Sequence, residues 1–233
     1  MVIARAPVLD FVAEAMPYTG DVHVGGPADV RETTHLTIAK IAVGNIDNNA
    51  YLLRCRATGE QLLIDAADEP ETLLGLIGEG GLAAVLTTHQ HWDHWRALAE
   101  VVAATGARTL VGRADAEGIP VPTDVPLDDG DVVRVGEVEL VARHLVGHSP
   151  GSIALVYRDP LGHPHVFTGD SLFPGGVGNT QKDPQRFASL IDDVETKIFA
   201  ELPDDTWVYP GHGRDTTLGA ERPHLPEWRN RGW

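Results

Sequence analysis

Cysteine is nearly missing from this chain: Cys55 is the only one in 233 residues. A lone thiol forms no internal disulfide, which suits a reducing compartment. Cys55 ends the strand-like run Tyr51-Leu52-Leu53-Arg54-Cys55 with no helper residue beside it, so it reads as a packed structural thiol. Long apolar runs are missing too. No stretch approaches the roughly 18 to 20 residues a membrane-crossing helix needs. Near the start, Pro7, Asp10 and Glu14 interrupt any signal-peptide core, and Arg5 is the only early base. The expected location is the cytoplasm, off the membrane. Basic residues are scarce, with 18 Lys and Arg against 34 Asp and Glu and a formal net charge of −16. Such a field repels nucleic-acid phosphates and anionic lipid, so neither is an expected partner.

What is present is an ordinary globular composition, 42% hydrophobic and 22% charged, which excludes global disorder. The length suits one large domain over 1–233 rather than two. Residues 1–32 carry scattered Pro and Gly and read as an irregular N-terminal arm with room for one short strand. Alternating or apolar runs at 35–41, 49–55 and 61–65 predict three consecutive strands. A helix is expected over 69–79, opened by Asp68 and Pro70 and stopped by Gly80-Gly81. A buried strand over 82–87, a helix over 95–105 and a short strand at 109–111 follow. The second half predicts a hairpin over 131–145 turning at Gly136, strands at 152–157 and 165–168, a long helix over 184–202 and a last strand at 207–209. The C-terminal tail, 214–233, is polar and Pro-interrupted and carries Trp228 and Trp233; it is expected to pack on the body or on a second copy, making a homo-oligomer through this tail. Two groups of strands, each with helices, predict an α/β fold built as a four-layer αββα sandwich.

The chemistry gathers at strand ends. His89, His91, Asp93 and His94 follow the 82–87 strand; His148 lies in Gly147-His148-Ser149-Pro150-Gly151 after the hairpin; Asp170 follows Thr168-Gly169; and His212 follows the last strand in Pro210-Gly211-His212-Gly213. Five imidazoles and two carboxylates form a ligand set suited to two divalent metals. Two zinc ions are the expected cofactors, with iron or manganese as alternatives. His23, His35, His144, His163, His165 and His224 read as ordinary structural or surface histidines.

Taken together, His89-Gln90-His91-Trp92-Asp93-His94, His148, Asp170 and His212 resemble the metallo-β-lactamase superfamily in its hydroxyacylglutathione-hydrolase-like branch, in a short form. The resemblance implies that His89, His91 and His148 hold the first metal, that Asp93, His94 and His212 hold the second, and that Asp170 bridges them. Asp93 favours the glyoxalase-like, lactonase-like and dioxygenase-like branches over the zinc β-lactamases, whose second site commonly differs. The implied activity is hydrolysis of a small-molecule thioester or ester by a hydroxide shared between the metals, with Asp93 also orienting that hydroxide as the catalytic carboxylate. Three alternatives stand beside it. One is a persulfide dioxygenase with a single iron on His89, His148 and Asp170. The others are a lactonase and a non-catalytic metal-dependent scaffold.

Only 21 residues follow His212, so the helical C-terminal domain that grips glutathione in the type II glyoxalases is not expected, and Trp95-Arg96-Ala97 stands where small glycines are usual. The loop from Asp170 to Thr180 resembles the loop after the bridging aspartate in short relatives. Asn179, Lys182 and Arg186 in and after it are candidate substrate-binding residues. Trp92 and Trp95, flanking the ligand loop, are candidate walls of the pocket.

Overall fold

A computed structural model of the chain describes residues 17–232. The first sheet has seven strands in sequence order: β1 (Asp29–Glu32), β2 (Leu36–Val43), β3 (Asn48–Cys55), β4 (Gln61–Ile64), β5 (Ala84–Thr87), β6 (Arg108–Gly112) and β7 (Val125–Leu127). The first four pair antiparallel and β4 to β7 pair parallel, the latter requiring crossovers that α1 (Pro70–Ile77) and α2 (Leu98–Thr105) begin to supply. The second sheet uses β8 (Val132–Val135), β9 (Val138–His144), β10 (Ile153–Arg158), β11 (Pro164–Gly169), β14 (Trp207–Pro210) and β15 (Thr216–Thr217), in the order β15-β14-β11-β10-β9-β8. A two-strand ribbon, β12 (Leu172–Phe173) with β13 (Gly176–Val177), follows Asp170.

Alternation along the strands builds three apolar layers. Leu36, Ile38, Leu53 and Leu62 of the first sheet meet Val135, Leu140, Leu155 and Phe167 of the second, and this inter-sheet core is buried. The opposite side chains, Ile41, Leu52, Leu63 and Val85, pack against Leu73, Ile77, Leu98 and Val101 on α1 and α2. On the far side Ala154, Val156, Val166 and Val208 pack against Phe187, Leu190 and Ile191 of α3 (Pro184–Asp193). Strands with both faces buried explain the near-continuous apolar runs. The architecture is the expected αββα sandwich.

Some details differ from the sequence reading. The long 184–202 helix is α3 followed by a π-helical stretch, Val194–Phe199, whose wider turn ends in the bond from Ala200 N to Glu195 O. The tail, for which no helix is expected from sequence, forms α4 (Leu218–Glu221) and α5 (Leu225–Arg231) and folds back on the body, burying Trp228 beside Phe199 at a ring separation of 6.4 Å. Within the arm, residues 1–16 lie outside the described residues, as does Trp233; the one short strand allowed there is β1. Cys55 is buried, as expected of a structural thiol. Among the described residues no helix is long and apolar enough to cross a membrane.

Backbone bonds lace one edge of the sandwich shut. Asp65 N donates to Leu86 O, Ile153 N to Thr88 O, Gly211 N to Gly169 O and Asn49 N to Gly211 O, each at 2.8–2.9 Å. The carboxyl ends of β4, β5, β11 and β14 therefore meet the start of β3 and the loop after β9. That edge carries the site.

Candidate metal centre

The seven donor residues converge there. His89, His91 and His148 form one group, Asp93, His94 and His212 another, and Asp170 joins His89 and His94 in a third, the donor atoms of each group lying within 4.8 Å of one another. In the first group, His91 Nδ1 is 2.9 Å from His89 Nε2 and 2.8 Å from His148 Nε2, and those two Nε2 atoms are 3.2 Å apart. In the second, Asp93 Oδ2 is 3.4 Å from His94 Nε2 and 3.3 Å from His212 Nε2. Asp170 lies between them: Oδ1 is 3.5 Å from His94 Nε2, and Oδ2 is 3.6 Å from both His148 Nε2 and His212 Nε2.

The outer hydrogen bonds decide which ring nitrogen faces inward. His148 Nδ1 donates to the Asn179 carbonyl at 2.9 Å and His212 Nδ1 to the Ile46 carbonyl at 3.1 Å. His94 Nδ1 donates to Asp65 Oδ2 at 2.8 Å. Thr88 Oγ1 gives its own proton to Asp65 Oδ2 at 2.9 Å and so accepts from His89 Nδ1 at 3.1 Å. In the neutral form that binds a metal, each imidazole would carry its one N–H on Nδ1, so all four Nε2 atoms would offer lone pairs to the centre. His91 Nδ1 has one proton at most, hence at least one of its two close nitrogen contacts sets lone pair against lone pair. This is the geometry of ligands around a cation. Three donors on a tetrahedral zinc at 2.0–2.1 Å would stand about 3.3 Å apart, close to the first triangle. His94 Nε2 and Asp170 Oδ1 are buried without a hydrogen-bond partner, as ligand atoms awaiting an ion would be. The residues fit two divalent metals.

Charge follows the same division. Burial, reinforced for His89 by the neighbouring His94, holds His89, His91 and His148 below the usual imidazole range and keeps them neutral. Burial opposes charge on His94 and His212 as well, yet Asp170 and Asp65 raise the first, and Asp93 and Asp170 raise the second. Asp93 and Asp170 resist burial and stay ionised, held well below the usual carboxylate range by His212 and His94 respectively.

Local sequence explains how these side chains come so close. At Gly211 a Cβ would collide with Asp170 Oδ1 and stand 2.8 Å from His94 Cε1. At Gly147 φ is +151°, and a Cβ would strike the Arg186 carbonyl and Leu190.

Three site residues escaped the sequence reading. Asp65, at the end of β4 with φ +60°, also accepts from Thr88 N at 2.7 Å and so orients both His94 and His89. A single carboxylate closing an apolar strand was the signal for it. Asn48 donates to Asp93 Oδ2 at 3.0 Å. Asp115 accepts from Gln90 N, Ser149 Oγ and Gly151 N, joining the two loops of the first group; its Arg-Ala-Asp-Ala-Glu setting reads as ordinary surface.

The remaining candidates are placed as follows. Asn179 offers its carbonyl to His148 and is exposed; Lys182 is exposed and lines a separate pocket with Val177 to Thr180. Arg186 donates through Nε to Gly147 O at 2.7 Å and through Nη2 to His148 O, bracing the His148 loop. Trp95 is half-buried and donates to Gln90 O at 2.8 Å. Trp92 is 53% exposed at the rim, with the Arg96 guanidinium 4.2 Å from its ring centre. Arg96 also reaches Asp68 at 2.7 Å and Asn45 at 3.1 Å.

Known proteins resemble this chain in sequence and in fold. A hydroxyacylglutathione hydrolase of Polaromonas sp. is 39% identical over 180 residues, 76% of this chain and 66% of that protein. The chain spans about two thirds of the length of the curated relatives it matches. Among solved structures, the BLEG-1 B3 metallo-beta-lactamase superposes with a TM-score of 0.72 at 27% identity, covering 82% of this chain and 99% of that one. TTHA1623, solved in a di-iron-bound form, has a TM-score of 0.65 at 35% identity, covering 78% and 96%. The family model for the metallo-beta-lactamase superfamily matches residues 43–212, the span from the end of β2 to the last histidine of the cluster. By its sandwich, its clustered donors and this match, the chain belongs to the metallo-beta-lactamase superfamily.

Proposed function

We propose that this protein is a metal-dependent hydrolase of small-molecule thioesters or esters, of the kind named in its hydroxyacylglutathione hydrolase relatives. The observation that carries the reading is the set of four Nε2 atoms aimed inward, each with its Nδ1 engaged outward, completed by His91 Nδ1 and two ionised carboxylates. In this reading His89, His91 and His148 hold one ion, Asp93, His94 and His212 hold the other, and Asp170 bridges. Zinc suits these nitrogen and oxygen donors, as do iron and manganese. Such a pair, when bound, supplies a water ionised near neutral pH, shared as a bridging hydroxide, and a Lewis acid for the acyl oxygen.

The chain's own residues set the geometry. Asp93, fixed by Asn48, would orient the attacking hydroxide. Asp65 and the Asn179 carbonyl lock the tautomers of His94 and His148. Across the reaction the water oxygen bonds to the acyl carbon and the carbon–sulfur or carbon–oxygen bond breaks. The thiol or alcohol leaves with one proton and the acid product releases the other. No serine or cysteine nucleophile is required. We place this reaction in the cytoplasm.

The test combines metal analysis with turnover. Two equivalents of divalent metal per chain and hydrolysis across a panel of thioesters are expected. His91→Ala and Asp170→Ala should each lower turnover below detection while leaving the circular dichroism spectrum unchanged. Full activity in either variant overturns the mechanism. One iron per chain, with oxygen consumed only when a thiol persulfide is supplied, would replace hydrolysis by persulfide oxygenation.

A further inference from the structure

Beside the donor cluster, a cavity of about 590 Å³ opens onto His91 and His148. The chain has four glutamines, and three of them, Gln90, Gln181 and Gln185, line this cavity. The fourth, Gln61, gives its side-chain amide to the carbonyls of Ile77 and Gly81 at 3.0 and 2.7 Å. The side-chain amides of the other three, and the Ser189 hydroxyl on the same wall, have no hydrogen-bond partner among the described residues. Gln90 Oε1 packs against Gly118, while Gln181, Gln185 and Ser189 add neutral donors and acceptors to an otherwise largely apolar wall.

Charge in the wall is nearly absent. Histidines aside, Arg186 is the only ionisable side chain there, and its Nε and Nη2 are engaged by the carbonyls of Gly147 and His148. Behind the wall, the Asp115 carboxylate is bonded to Gln90 N at 2.9 Å and to Ser149 Oγ at 2.5 Å. Lys182 lines the separate pocket on the Val177–Thr180 loop. The two carboxylates of a glutathione arm would find a single guanidinium in this cavity, already held by two carbonyls, whereas a neutral amide exchanges its water bonds for bonds to glutamine. The chain's net charge of −16 further discourages anions from approaching.

We infer that this cavity receives an uncharged, amide-bearing arm of the thioester substrate, in place of the two-carboxylate arm of glutathione. The inference rests on the hydrolase reading for the word substrate, but the pocket's preference can be measured without turnover. Two unreactive thioethers, S-propyl-N-acetylcysteamine and S-propylglutathione, are titrated calorimetrically into the metal-loaded protein. The neutral thioether should bind at least about tenfold more tightly, a difference of about 1.4 kcal/mol. In the double variant Gln181→Lys, Gln185→Lys, S-propylglutathione should gain about tenfold while the neutral ligand, deprived of two glutamine partners, should weaken several-fold. Both positions are exposed, so the variant is expected to keep the wild-type melting temperature. Equal or tighter binding of S-propylglutathione by the wild type, or an unchanged ratio in the double variant, overturns the inference. A protein that prefers the neutral thioether yet hydrolyses no thioester would keep this pocket assignment and refute the hydrolase reading.

Discussion

Asp65 shows how much a single side chain can organise at this site. Its Oδ1 accepts from Thr88 N, and its Oδ2 accepts from Thr88 Oγ1 and His94 Nδ1, so both oxygens face donors. Asp65→Asn keeps the shape but must turn an NH₂ group toward one of those donors. Metal affinity should fall about 10- to 100-fold, the usual effect of losing a partner that orients a ligand. Competition with a chromogenic chelator measures it, and an unaltered affinity would remove Asp65 from the site. Lys40 carries a second prediction at this scale. Fully buried, its Nζ bonds Asp215 Oδ1 at 2.7 Å and the carbonyls of Gly20 and Gly213, the last next to His212. Lys40→Met leaves a buried carboxylate and two carbonyls without this partner and should cost about 3–5 kcal/mol in urea unfolding. A loss below about 1 kcal/mol would show that water replaces the ammonium freely.

Among the elements, the C-terminal helices differ most from their sequence appearance. The 214–233 segment has proline at 223 and 226 and many charges, features of a loop, yet Pro226 sits in the first turn of α5, where its missing N–H costs nothing. Trp228 then drops into the α3 layer and is 1% exposed. Glu221 accepts from Gly175 N and Arg231 donates to Gly175 O, both at 2.9 Å, gripping the tip of the β12–β13 ribbon that follows Asp170. Trp228→Ala should destabilise by about 3–5 kcal/mol, seen as a fall in melting temperature at unchanged metal content. A wild-type melting temperature would mean that the tail is dispensable to the core. The strands read more easily than this tail. From β2 to β6 and β8 to β11, alternation or a continuous apolar run marks each element within a few residues. The three-residue β7 and the two-residue ribbon escaped because so short a segment carries no period.

At the scale of the whole molecule, the pH dependence of stability depends on groups the fold encloses away from the metal centre. His165 is buried against Tyr157 and Tyr209, and burial pushes its imidazole from the usual 6.5 down to about 3. Its folded-state pKa lies below the unfolded one, so between these values the unfolded chain binds the extra proton. Stability from this residue is complete above pH 6.5 and falls as pH drops toward 3, by at most about 1.4 kcal/mol per pH unit. In urea unfolding between pH 4 and 6.5, His165→Gln should flatten that acid limb; an equal slope in wild type and variant would contradict it. The sequence alone determined the donor types and their order, and with them the family and the sandwich, because each donor follows an apolar strand and strand ends are legible in periodicity. Only the tertiary structure decided which nitrogen of each histidine faces inward, that Asp65, Asn48 and Asp115 brace the cluster, that Arg186 is engaged by backbone, and that three glutamines share one cavity. Those facts depend on contacts between segments tens of residues apart. A one-dimensional pattern records how a side chain alternates with its neighbours, but not which distant group its last hydrogen bond will find.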